Sequence, residues 1–245
     1  MNRFFLPPDC IHPDGLVFFP EAVAHQIQHV LRLRPGEEVA VLDNAGRIHR
    51  VALLPGTSEG LRGNILHTDP VDTEPDLALA LCFGLTQRDK VEWILQKGTE
   101  IGVAAFHPFI SSRTLVQRTE LSEKKVSRWG RIIREAAEQS HRGRLPVLHR
   151  PEPFTELLTG LQKRYPICLM AWEGAAGEGR GLEGLVEPSG EAALIVGPEG
   201  GFSEDEVQAA RSGGCQILSL GQRILRMETA AIVFPALVLY AADAL

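Results

Sequence analysis

From residue 77 onward, apolar runs alternate with stretches of helical periodicity, and this alternation restricts the architecture more than any other feature of the chain. Leu77-Ala78-Leu79-Ala80-Leu81-Cys82-Phe83-Gly84-Leu85 contains no polar side chain. A strand of this kind has to be covered on both faces, as in a mainly parallel sheet held between helices. Further strands are expected over residues 104–110, near Val147, and over 167–172, 192–196 and 216–220. Helical spacing of apolar residues predicts helices over 88–101, 122–141, 154–163 and 203–211, and a closing helix from Glu228. The expected class is α/β. With 245 residues, 44% hydrophobic and 23% charged, the chain suits one large globular domain or two modest ones.

Residues 3–69 have a different texture. Glu37-Glu38-Val39-Ala40-Val41-Leu42 and Arg47-Ile48-His49-Arg50-Val51-Ala52-Leu53 flank the turn-forming Asp43-Asn44-Ala45-Gly46, which predicts a hairpin. A further strand is expected over 61–67, and one helix over 21–31, where Val23, Ile27, Val30 and Leu31 repeat on one face. This describes a small β-barrel carrying one helix. Thr68-Asp69-Pro70-Val71-Asp72-Thr73-Glu74-Pro75-Asp76, with two prolines and four acids, is the best linker candidate.

Several classes are disfavoured. The N-terminus meets proline and acid (Pro7-Pro8-Asp9) before an apolar signal core can form. The apolar run over 229–242 is broken by Pro235 and is shorter than the roughly 20 residues that span a bilayer. Cys10, Cys82, Cys168 and Cys215 are far apart in sequence, without a C-x-x-C pair, so reduced thiols and a cytoplasmic location are expected. Residues 1–112 carry a formal charge of −5, residues 113–150 of +6 and residues 151–245 of −7. One basic segment inside an acidic protein suits a polyanion footprint, although a solvated helix face would show the same count.

Some motifs lead nowhere. Gly179-Arg180-Gly181-Leu182-Glu183-Gly184 has the letters of a dinucleotide fingerprint, but that motif must directly follow a strand, and the preceding strand ends near Trp172. A nicotinamide-type oxidoreductase thus lacks its context. His25 and His29 are spaced for zinc with no third ligand, so no metal site is expected. Neither a phosphate-binding P-loop nor a nucleophile elbow occurs.

Two loops are more informative. In the first, the strand at 192–196 runs into Gly197-Pro198-Glu199-Gly200-Gly201-Phe202, and Ser203 with Glu206 forms a capping box for the next helix. In the second, the strand at 216–220 runs into Gly221-Gln222-Arg223-Ile224-Leu225-Arg226-Met227-Glu228-Thr229-Ala230. Both lie at the carboxyl ends of strands, where open α/β sheets bind ligands. The alternatives are plain strand-to-helix turns, with Arg223 and Arg226 simply paired to Glu199 or Glu228.

Together these two blocks resemble the RsmE family, the small-subunit (16S) ribosomal RNA uridine N3-methyltransferases of the SPOUT superfamily. Lys97-Gly98-Thr99-Glu100-Ile101-Gly102, Ser112-Arg113-Thr114, the segment from Arg128 and Trp129 to Gln139, Ser140 and Arg142, and His29-Val30-Leu31-Arg32 with Gly36 are similar to the family's other blocks. The resemblance implies a PUA-like β-barrel for RNA binding over 1–70 and a SPOUT methyltransferase domain over 76–245. It also implies a trefoil knot, which pattern reading alone would replace by a plain doubly wound sheet.

S-adenosyl-L-methionine is the implied methyl donor, held by Gly197, Pro198, Glu199, Gly200, Gly201, Leu220, Gly221, Ile224, Leu225, Arg226, Glu228, Thr229 and Ala230. The implied partners are ribosomal RNA or the small ribosomal subunit, and a second copy of the chain in a homodimer. Because uracil N3 is protonated at neutral pH, Arg226 or Arg223 is expected to stabilise the developing anion. Glu199 or Glu228 is the candidate proton acceptor, or the group that orients an arginine. RNA contacts are expected from His29, Arg32, Arg113, Arg128, Arg131 and Arg142, whereas Trp129 lies in the apolar stripe of its helix and is expected in the core. Methylation of another nucleotide and a catalytically silent RNA-binding adaptor are the alternative functions.

Overall fold

The computed structural model describes every residue except 58, 59, 118, 119, 176–181, 183 and 245. Gly179, Arg180, Gly181 and Glu183 of the displaced glycine motif therefore lie outside the described residues. Two compact units are present: residues 1–74 with 137–145, and residues 75–136 with 146–245.

The first unit is built on five strands: β1 (Arg3–Phe5), β2 (Leu16–Phe18), β3 (Glu38–Leu42), β4 (Arg47–Leu53) and β5 (Arg62–Pro70). They form one mixed sheet in the order β1-β3-β4-β5-β2. The hairpin between β3 and β4 forms because Asp43 Oδ1 accepts the amides of Ala45 (2.8 Å) and Arg47 (3.1 Å), an Asx-type turn. Phe4, Val17, Ile27, Val39, Val41 and Val51 fill the core.

Two expectations change here. Residues 68–70 of the expected linker end β5, where Pro70 pairs with Arg47. The expected helix over 21–31 divides into α1 (Glu21–His25) and a wider π-turn (Gln26–Val30), in which Leu31 N bonds Gln26 O at 2.9 Å.

The remainder of the expected linker is firmly held. Glu74 accepts Arg142 Nη2 at 2.5 Å and the amides of Gly143 and Arg144 at 3.0 and 3.1 Å. Thr73 Oγ1 donates to His141 O at 3.0 Å, and Phe5 N to Glu138 Oε1 at 3.0 Å. Residues 137–145 are thereby fastened into the first unit.

The second unit contains β6 (Leu77–Gly84), α2 (Arg88–Ile101), β7 (Ala105–Ile110), α3 (Glu123–Gln139, shared with the first unit), β8 (Val147–Leu148), β9 (Glu152–Pro153), α4 (Phe154–Arg164), β10 (Ile167–Ala171), β11 (Gly190–Val196), α5 (Glu204–Ser212), β12 (Gln216–Leu218) and α6 (Met227–Ala241). Its strands follow the order β12-β10-β11-β6-β7-β8, with β9 also beside β7, and the strand pairs are parallel.

Strand alternation assigns each side chain to one of two cores. Leu77, Leu79, Leu81 and Phe83 join Leu194 and Val196 under α2, α3 and α6, with Trp129 fully buried there as its stripe predicts. Ala80, Cys82, Ala193 and Ile195 face the other way, toward α4 and α5. Cys168 and Cys215, read as isolated from their sequence spacing, meet at 2.6 Å between Sγ atoms because β10 and β12 are neighbours. Among the described residues, no helix is long and apolar enough to cross a membrane.

Candidate active site

β6 and β11 are adjacent, β10 lies on the other side of β11, and β12 follows it, so four strand ends open on one edge of the sheet. The chain leaves β11 through Gly197-Pro198-Glu199-Gly200-Gly201. Gly84, at the end of β6, has a reason to be glycine: a Cβ there would lie 2.6 Å from Pro198 N. Gly201 has φ +67°, a left-handed conformation, and its amide closes a turn on Pro198 O at 2.9 Å. The expected capping box is formed: Ser203 Oγ accepts Glu206 N at 3.2 Å, and Glu206 Oε2 accepts Ser203 N at 2.9 Å.

The loop after β12 is shaped by Ser219, whose Oγ donates to Gly221 O at 2.9 Å. It ends at Arg226, the N-terminal cap of α6. Between the two loops is a cavity of about 380 Å³, lined by residues 197–199, 201 and 202 from the first loop, 219–228 and Ala230 from the second, Trp172 and Glu173 after β10, and Lys90 of α2.

Charge is distributed unevenly around this cavity. Lys90 Nζ donates to Glu199 Oε1 at 3.0 Å and lies 3.4 Å from Glu228 Oε2, without the alignment of a hydrogen bond. Thr86 Oγ1 also donates to Glu199 Oε1. Burial pushes the Glu199 carboxyl upward, but the hydrogen bonds from Thr86 and Lys90 outweigh it and leave the group below the usual carboxylate range. The bond to Glu199 raises the Lys90 ammonium. Arg223 and Arg226 are exposed and form no ion pair among the described residues, because Lys90 takes the carboxylates that sequence reasoning offered them.

Known proteins are similar to this chain over most of its length. The RNA methyltransferase domain family matches residues 73–239. Ribosomal RNA small subunit methyltransferase E of Bacillus subtilis is 33% identical over 214 residues, covering 85% of this chain and 83% of its own. The protein of the same name from Synechocystis is 34% identical over 229 residues, covering 90% and 71%. This chain belongs to the ribosomal RNA small subunit methyltransferase E family. A crystal structure of the Neisseria gonorrhoeae member bound to S-adenosyl methionine superposes with a TM-score of 0.86, at 32% identity, covering 98% of this chain and 97% of the other.

In this member of the methyltransferase E family, the structure brings together all the residues expected from the two loops except Gly200 and Thr229, which do not line the cavity although their neighbours do. Thr86 and Lys90 were missed. Both follow β6, and only the strand order shows that this strand ends beside Glu199.

The expected RNA contacts separate into groups. His29 and Arg32 are both exposed in the first unit. Arg131 is exposed, 3.7 Å from Glu135. Arg128 binds both oxygens of Glu92, at 2.5 and 2.7 Å. Arg113 Nη1 braces the first loop by donating to Gly200 O and Phe202 O, each at 3.2 Å. Arg142, also expected to meet RNA, is only 4% exposed, and its Nε and Nη2 are held by Glu74, so this guanidinium fastens the chain internally.

Proposed function

We propose that this chain methylates N3 of a uridine in small-subunit ribosomal RNA, with S-adenosyl-L-methionine held between the loops that follow β11 and β12. The observation that carries this reading is that two glycine-bearing loops from separate parts of the sequence enclose one cavity. Its volume of about 380 Å³ falls in the range of small-molecule sites, roughly 300–1,000 Å³. Gly197, Gly201 and Gly221 line the cavity without side chains of their own, and Glu228 Oε2 is a buried acceptor without a hydrogen-bond partner among the described residues.

The cofactor supplies a methyl group activated by a sulfonium centre. The chain's own task is to favour the uracil anion. Arg226, with Arg223 beside it, offers at the cavity a guanidinium that forms no ion pair among the described residues, to stabilise charge on the uracil oxygens and to hold the ring in line. Glu199 is already hydrogen-bonded by Thr86 and Lys90 and takes up a proton poorly, so its role is to position Lys90 and the loop. Because N3 lies on the pairing edge, the target uridine has to be unpaired or flipped out.

On this reading the first unit is a PUA-like RNA-binding barrel, and the two loops belong to a trefoil knot. The protein works in the cytoplasm as a homodimer, a state supported by exposed Trp93 on α2 and Leu237 and Tyr240 on α6, which leave apolar surface to cover. The deciding experiment is mass spectrometry of nucleosides from small-subunit RNA incubated with the protein and isotopically labelled donor. Label on uridine N3 supports the proposal. Label on another position revises the substrate, and RNA binding without any label indicates an adaptor.

A further inference from the structure

Lys90 is shared by two carboxylates, and that imbalance has a chemical meaning. Glu199 and Glu228 both line the cavity with side chains only 23% and 13% exposed, and among the described residues Lys90 is the cation within ion-pair distance of both. The remaining charged lining residues, Glu173, Arg223 and Arg226, are exposed, where water and salt screen them. The sheltered part of the wall therefore holds a formal charge of −1. Within it the two carboxylates differ: Glu199 is hydrogen-bonded by Thr86 and Lys90, whereas the buried Glu228 Oε2 has Lys90 only at 3.4 Å and no aligned hydrogen bond among the described residues. Lys90 compensates one of the two sheltered carboxylates, and a second cation at the cavity would lower the cost of keeping both ionised.

We propose that Glu228 is the group by which the site distinguishes a methyl donor from its demethylated product: the surplus negative charge of the Lys90, Glu199 and Glu228 cluster attracts a cationic ligand centre. This rests on the reading that S-adenosyl-L-methionine binds in the cavity. In methyl transfer to N3, the sulfur–methyl bond breaks, its electron pair stays on sulfur, a carbon–nitrogen bond forms and the N3 proton leaves to solvent. The donor's positive sulfur thereby becomes a neutral thioether. Electrostatic attraction falls at that moment, which favours exchange of product for fresh donor.

The test is calorimetric binding of three ligands to the intact protein: S-adenosyl-L-methionine, S-adenosyl-L-homocysteine, and an analogue in which an ammonium replaces the sulfonium. Wild-type protein should favour the two ligands with the extra cation. Glu228→Gln keeps the side-chain shape and should weaken both about tenfold while changing the neutral thioether by less than about twofold. Lys90→Met removes the compensating cation and should widen the preference for the cationic ligands, which guards against a trivial packing effect of the first variant. Equal weakening of all three ligands by Glu228→Gln, or no weakening, overturns the proposal. Failure of wild-type protein to bind any of the three overturns the methyl-donor reading itself, a separate result.

Discussion

The basic segment at 113–150 and the loop at 219–227 both looked like places where positive charge meets RNA, yet they use their arginines in opposite ways. In the basic segment Arg113, Arg128 and Arg142 are committed within the chain, to loop carbonyls, to Glu92 and to Glu74. In the loop, Arg223 and Arg226 have no ion-pair partner among the described residues, although two carboxylates line the same cavity, because Lys90 is placed to engage those acids. Counting charge along a sequence measures supply; the fold determines what remains for a ligand. Cations kept from nearby acids at the carboxyl edge of a parallel sheet suit chemistry, whereas the paired ones hold the framework.

The contrast can be broken experimentally. The largest effect is expected from Arg142→Ala, which removes the cation paired with Glu74 and should cost about 3–5 kcal/mol in urea unfolding; a loss below about 1 kcal/mol would return Arg142 to the surface charges. Next, Arg226→Ala should lower kcat by about 10²–10³-fold, the usual cost of removing one anion-stabilising donor, while the Kd for S-adenosyl-L-methionine stays within about threefold. Equal turnover in that variant would remove Arg226 from the chemistry.

A smaller effect separates the exposed Arg131 from its paired neighbours. If Arg131 meets a phosphate, Arg131→Ala should reduce the slope of log affinity against log salt by roughly 0.7–0.9 in RNA titrations. The smallest effect concerns Glu92, which Arg128 and then Arg88 hold down to about pKa 2, against the opposing effect of burial. A carboxyl lowered on folding adds stability above its unfolded value near 4.5 and loses it as the pH falls toward 2. Thermal unfolding of wild-type protein should therefore show a decline between these values that Glu92→Gln lessens; identical profiles would show that the Arg128 pair contributes nothing.

The parts of the molecule that were legible in advance are those whose causes lie within a few residues. The helix at 88–101 follows from its own periodicity, and Ser203 with Glu206 announces the start of α5 by a local hydrogen-bond exchange. The two loops were recognisable because glycines cluster in the first and Arg223 and Arg226 follow Gly221 in the second. The wider turn at 26–30 and the continuation of β5 through Pro70 were not, since pairing and packing with other segments override local preference. Lys90 gave no signal of its own: one lysine near a helix start is ordinary, and Glu199 is 109 residues away in sequence.

Sequence alone determined the alternation of strands and helices after residue 77, the hairpin at 43–46, the capping box at Ser203 and Glu206, and the family resemblance, since all of these reside in short patterns of side chains. Tertiary structure decided which charges meet. Strand order places β6 beside β11 and thus Lys90 beside Glu199, and the fastening at Glu74 withdraws Arg142 from the surface. Electrostatic interaction depends on distance and shelter from water, and neither quantity is encoded locally along a chain.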